Sequence, residues 1–119
     1  MVVRGIRGAI TVAENTVEEV QEATLTLLQE MIKQNNLQEE HVASAFFTVT
    51  EDINADFPAY AARKMGWHYV PMLCTREIAV PGSLEKTIRV LLHVNTTKSQ
   101  QEIRHIYLRE AVKLRPDIQ

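Results

Sequence analysis

Apolar and polar residues alternate without a break from Ile88 to Asn95: Ile88, Val90, Leu92 and Val94 face one way, Arg89, Leu91, His93 and Asn95 the other. That period of two predicts a strand with one buried face. The opening segment Val2–Val12, rich in Val and Ile, reads as another strand. Here Arg7 shares its face with Gly5 and Ala9, leaving room beside the arginine for a ligand or a second backbone. Between them the period changes. Val20, Ala23, Leu27, Leu28, Met31 and Ile32 fall at helical spacing behind the capping box Thr16-Val-Glu-Glu19, and Asn35-Asn36 marks the stop. Val42–Thr50 is so densely apolar that it reads as a strand buried on both faces.

The remaining elements are shorter. A helix from Phe57 to Met65 is opened by Asp56 and Pro58 and closed by Gly66. Trp67–Cys74 and Arg76–Val80 read as extended, Pro81-Gly82 as a turn, and Ser83–Lys86 as a single helical turn. A second capping box, Ser99-Gln-Gln-Glu102, predicts a helix carrying Ile103, Ile106, Tyr107 and Ala111, followed by an extended piece from Val112 to Arg115. Strand, long helix, strand, short helix, strands, helix, strand is the order of a mixed α/β (α+β) domain, with helices packed on one face of a sheet. At 119 residues it is one domain, 1–119.

Charge changes this picture. The formal net charge is −2, which argues against a dedicated nucleic-acid or polybasic membrane binder. The sum hides a split: residues 1–60 carry three basic and ten acidic side chains, residues 61–119 ten basic and five acidic. Eight of the thirteen cations are arginine, the side chain suited to fixed, bidentate recognition of carboxylate or phosphate. RNA binding through the basic half is disfavoured by an aromatic content of only 6% and the lack of a basic-aromatic stripe. The single cysteine, Cys74, rules out an internal disulfide and fits a reducing compartment. With no signal-type apolar run at Met1–Gly5 and no stretch of membrane-spanning length, the expected location is the cytoplasm.

Familiar catalytic equipment is missing. No glycine-rich phosphate loop is present, and His41, His68, His93 and His105 fall in no metal-ligand spacing. His68 and Cys74 would stand about 20 Å apart on one extended segment, too far for a nucleophile and its base. What remains is a set of cations with few opposing anions. Arg7 and Arg89 sit mid-strand among apolar residues, where charge is costly unless paired or used. Two explanations stand: a structural ion pair with Glu77 or another acid, or a small anionic ligand carrying carboxylates and held without metal or cofactor.

Six blocks then carry a resemblance across the whole chain: Val3-Arg-Gly-Ile-Arg-Gly-Ala-Ile-Thr-Val12, Phe57-Pro-Ala59 with Arg63, Gly66-Trp67 with Tyr69-Val-Pro71, Ile88-Arg-Val90, Ile103-Arg-His-Ile-Tyr-Leu108 and Leu114-Arg-Pro-Asp117. In order and spacing they resemble the small, trimeric, monofunctional class of chorismate mutase. The resemblance implies a homotrimer like an α/β barrel, with sites at the subunit interfaces, that converts chorismate to prephenate on the route to phenylalanine and tyrosine. That reaction is an intramolecular [3,3] rearrangement needing no cofactor, which accounts for the missing equipment. The protein must hold a flexible dicarboxylate in its compact reactive shape and stabilise charge growing on the ether oxygen. By resemblance Arg89 is the cation at that oxygen, while Arg7 and Tyr107 bind a carboxylate and Arg63 assists at the mouth. Glu77 and the backbone of Cys74 would hold the ring hydroxyl. Phe57, Ala59, Leu73, Ile78 and Leu114 would line the apolar walls, with Arg115 nearby.

The chain departs from the family pattern at Tyr60, where a charged residue is expected, and at Leu73, which replaces a threonine. It is also about one residue shorter before Trp67, and the tail behind Arg115 is short, limiting any segment that closes over the site. A different reading is a trimeric imine- or enamine-hydrolysing enzyme, or a small-carboxylate-binding module, using an interface arginine. Chorismate turnover separates the two.

Overall fold

The computed structural model describes residues 1–115 and 117. Five strands form one sheet: β1 (Val2–Thr11), β2 (Val42–Val49), β3 (Met72–Arg76), β4 (Thr87–Thr96) and β5 (Ile106–Tyr107). Their order is β3-β2-β4-β1-β5; β4 runs antiparallel to both neighbours, and the edge pairs β1/β5 and β2/β3 are parallel. Helices α1 (Val17–Asn35) and α2 (Ala59–Lys64) complete the fold, with short 3-10 turns at Glu39–His41, Gln100–Glu102 and Arg109–Leu114. This is the mixed α+β architecture expected.

The core lies between α1 and one face of the sheet. Ile6 and Ile10 of β1, Phe47 of β2, and Ile88, Leu92 and Val94 of β4 are fully buried with Val20, Leu27, Leu28 and Met31 of α1. Close approach occurs on this face and not beside Arg7: a Cβ at Gly8 would lie 2.5 Å from Met31 Sδ, whereas one at Gly5 would make an ordinary 3.5 Å contact with Leu91. Gly8 thus seats α1 against β1. The α1 termini follow the expected signals. Thr16 Oγ1 accepts from the Glu19 N–H at 3.1 Å, although Glu19 Oε1 reaches back to the Ala13 N–H instead of its own cap. Asn36 ends the helix in the left-handed region at φ 53°, a conformation asparagine tolerates.

Other expectations need correction. β2 is buried only toward the helices: Ala45 and Phe47 are inside while Phe46 and Thr48 are half-exposed. Its apolar density reflects a second, open face rather than burial on both. Of the two segments read as extended, Trp67–Cys74 and Arg76–Val80, only Met72–Arg76 forms a strand; Ser83–Lys86 forms no helical turn, and α2 is shorter than Phe57–Met65. Most consequential, no helix follows Ser99. Its capping box forms, but closes one 3-10 turn, and Ile103 is already extended at ψ 134°. The chain then joins the open edge of β1, with Leu108 N–H donating to Ala9 O at 2.9 Å. Val112–Leu114, expected extended, belongs to the 3-10 turn. Pro116, Ile118 and Gln119 lie outside the described residues, and with them most of the expectation of a short tail over the site.

The switch from helix to strand is held by a buried side chain. Asn35 Nδ2 donates to Met31 O (3.0 Å) and Arg104 O (2.8 Å), and its Oδ1 accepts from Arg104 N–H (2.9 Å). Asn35→Ala orphans both Arg104 groups and is expected to lower stability by about 2–3 kcal/mol in denaturant unfolding. A loss below about 0.5 kcal/mol would show that water replaces the amide.

Candidate active site

The sheet face turned away from α1 carries the charge. Register sets it out in rows. Tyr107 (β5), Ala9 (β1), Arg89 (β4), Thr48 (β2) and Thr75 (β3) stand side by side, and Arg7, Leu91, Phe46 and Leu73 form the next row. Arg89 is therefore on the central strand, flanked by small Ala9 and Thr48. Just beyond β3, the Glu77 N–H donates to Val49 O at 2.8 Å, which brings its carboxylate back over the same face. Arg89 Nε then lies 3.0 Å from Glu77 Oε2, which also accepts from Thr48 Oγ1 at 3.0 Å.

The ion pair expected as one explanation of Arg89 is thus present. It does not exhaust that explanation. The two side chains remain 44% and 28% exposed, and such a pair contributes at most about 1 kcal/mol to stability. It engages only Nε; among the described residues nothing hydrogen-bonds to the terminal nitrogens. Arg7 has no carboxylate within ion-pairing distance among the described residues. Arg7, Arg89, Glu77, Thr48, Phe46 and Tyr107 line a cavity of about 220 Å³. A hollow of about 500 Å³ beside Glu39, Glu40 and Tyr69 is larger, but its carboxylates oppose an anion.

At the β5 end, Arg115 holds Asp117 through two contacts, Nε–Oδ1 at 3.1 Å and Nη2–Oδ2 at 2.9 Å. Bonding to Asp117 first, with Tyr107 adding, raises the Arg115 pKa above its ordinary value; Arg115 in turn lowers that of Asp117. Leu114 is half-buried in the preceding turn. Tyr107 reaches this face from a strand, not from the helix expected of it.

A second group gathers around α2, outside that cavity. Phe57 stacks edge-on against Tyr60 with ring centroids 5.3 Å apart, and the Arg63 guanidinium lies over the Tyr60 ring at 5.5 Å. Tyr60, standing where a charged residue was expected, thus serves as a platform for Arg63. Ala59 is buried, whereas Phe57, Leu73 and Ile78 are exposed at 56%, 61% and 78%. Cys74 pairs with Phe47, so its side chain packs toward the core and only its backbone is offered at the sheet edge. Burial is the main influence on the thiol and raises its pKa, outweighing the backbone contact at Ala59 and the Arg63 charge. Cys74 is expected to alkylate more slowly than a free thiol at pH 8; faster reaction would place it outside the core.

Thr48 and Phe46 were not singled out in the sequence, and His105 was weighed there only as a metal ligand. Thr48 and Phe46 enter only through cross-strand register, which a linear pattern does not show.

Comparison with known proteins bears on this geometry. Residues 3–118 match the family model for chorismate mutase type I. Chorismate mutase AroH of Thermus thermophilus is 55% identical over 118 residues, covering 98% of this chain and 97% of that protein. Chorismate mutase AroH of Bacillus subtilis (strain 168) is 45% identical over 119 residues, covering 99% and 94%. The solved structure of a chorismate mutase from Clostridium thermocellum superposes with a TM-score of 0.90 at 52% identity, covering 91% of this chain and 96% of that one. With its whole length, its fold and its cationic sheet face accounted for together, the chain belongs to the chorismate mutase type I family.

Proposed function

We propose that this protein converts chorismate to prephenate, using Arg89 to stabilise the ether oxygen as its bond to the ring breaks. The observation carrying this reading is the Arg89–Glu77–Thr48 arrangement. Glu77, itself held by Thr48, engages the guanidinium at Nε, and among the described residues the terminal nitrogens of this cavity-lining arginine carry no hydrogen bond. A cation already oriented before charge develops needs no reorganisation in the transition state. The rearrangement moves electrons within one molecule and transfers no proton to the protein, so neither a general base nor a nucleophile is required. Arg7 and Tyr107 take a carboxylate, Glu77 and the Cys74 backbone orient the ring hydroxyl, and the compact conformer is selected by these contacts together.

The site is completed by a neighbouring subunit. The cavity of one chain, about 220 Å³, falls short of the roughly 300–1,000 Å³ usual for ligand pockets. Arg63, Phe57 and Leu73 belong to a group outside it, and apolar side chains as exposed as Leu73 and Ile78 suit burial against another copy. A homotrimer, with the α2 group of one protomer closing the Arg89 face of the next, joins the two halves. Light scattering should then give three times the 13.6 kDa of the chain. None of its described helices is long and apolar enough to cross a membrane.

The test of function is direct. Purified protein in excess chelator should consume chorismate and release prephenate well above the uncatalysed rate. Turnover at the uncatalysed rate would overturn the reading.

A further inference from the structure

The backbone N–H of Arg7 donates to a side chain. Its acceptor is Nδ1 of His105, 2.9 Å away. β5 pairs with β1 only at Gly8–Ile106 and Ala9–Tyr107, so the imidazole extends the contact between the two strands one residue past the end of their ladder. His105 stands two residues before Tyr107, and Arg7 two residues before Ala9, Tyr107's partner. One side chain thus ties the backbone under Arg7 to the strand that presents Tyr107.

We propose that His105 is a positioning residue: by accepting the Arg7 N–H, Nδ1 sets the spacing at which Arg7 and Tyr107 meet a substrate carboxylate. The inference rests on the carboxylate-binding reading of Arg7 and Tyr107. It requires a neutral ring with its proton on Nε2, since a protonated Nδ1 would face a donor with a donor. The surroundings favour that form. Burial is the main influence lowering the His105 pKa, and the Arg7 charge on β1 and the Arg115 charge beyond the last 3-10 turn act in the same direction. Arg104 precedes it in the chain, Tyr107 follows on its own strand, and Glu30 of α1 borders the same hollow.

Two measurements test the proposal. In 15N-labelled wild-type protein, a coupling through the hydrogen bond should connect the Arg7 amide nitrogen with His105 Nδ1, and the ring proton should reside on Nε2. His105→Phe keeps the bulk and removes the acceptor; His105→Asn keeps an acceptor near the Nδ1 position. His105→Phe is expected to raise KM for chorismate about five- to tenfold, the effect of one lost hydrogen bond, with kcat changed less than about twofold. His105→Asn should recover most of that KM. A proton on Nδ1 without coupling to Arg7, or equal KM values for the Asn and Phe variants, would overturn the proposal. If His105→Phe does not fold, the wild-type coupling and a His105→Asn KM within about threefold of wild type decide it, a larger rise counting against it. An unchanged KM in Arg7→Ala would instead sink the carboxylate reading, while leaving the coupling detectable.

Discussion

Replacing Arg89 with alanine is expected to lower kcat for chorismate by at least about 10² to 10³, the scale measured when one preorganised donor to a developing oxyanion is removed. The structure gives two reasons for so large an effect. Arg89 stands on the central strand between Ala9 and Thr48, with no other arginine in its row to take over. Its loss also frees the Glu77 carboxylate, 3.0 Å from Arg89 Nε, to act as an unbalanced anion beside an anionic substrate. Lysine should restore only part of the rate. Its ammonium can contact either Glu77 or the ether oxygen, whereas the guanidinium spans both through different nitrogens. Near-normal turnover in Arg89→Ala would show that the Glu77 pair is merely structural.

Arg7→Ala is expected to act differently, raising KM by about 10- to 100-fold with a smaller change in kcat. A charged hydrogen bond contributes about 1.5–3 kcal/mol, which corresponds to roughly that range in affinity. Arg7 lies in the neighbouring row, opposite Leu91, and pairs with no acid within 4.0 Å among the described residues. A carboxylate that keeps its full charge through the rearrangement is held about equally in ground and transition state, so the loss of its partner appears chiefly as weaker binding. Steady-state kinetics on the two variants separates the roles. An Arg7→Ala enzyme whose kcat collapses while KM stays constant would move Arg7 to the reacting centre.

Much of this was legible in the sequence, for physical reasons that particular residues make clear. The alternation of Ile88–Asn95 places Arg89 opposite the core face because β4 is central and one of its faces must be buried. Thr16 and Asn36 bound α1 through local effects: the Thr16 hydroxyl accepts from the Glu19 N–H, and Asn36 takes the left-handed conformation with its own N–H on Ile32 O. Contacts that depend on distant chain were not legible. Ile103, Ile106 and Tyr107 recur at helical spacing, yet the free edge of β1 pairs with Ile106 and Tyr107 and the amide of Asn35 with the Arg104 backbone, partners that no local pattern announces. Tyr107 reaches the active face only because those partners win. The family resemblance names Arg7, Arg63, Glu77, Arg89 and Tyr107 as one set, although Glu77 lies in none of the six blocks; a single chain brings together four of them and leaves Arg63 with Tyr60 and Phe57. Thr48 has no distinguishing mark until register sets it beside Arg89.

The most direct measurement is the affinity of a stable bicyclic transition-state analogue for wild-type protein and for Arg89→Ala. If Arg89 acts on the charge that develops during the rearrangement, the loss in analogue affinity should match the loss in kcat/KM, at least about 10²-fold. Equal affinity of both proteins for the analogue would contradict the assignment of Arg89 to the transition state.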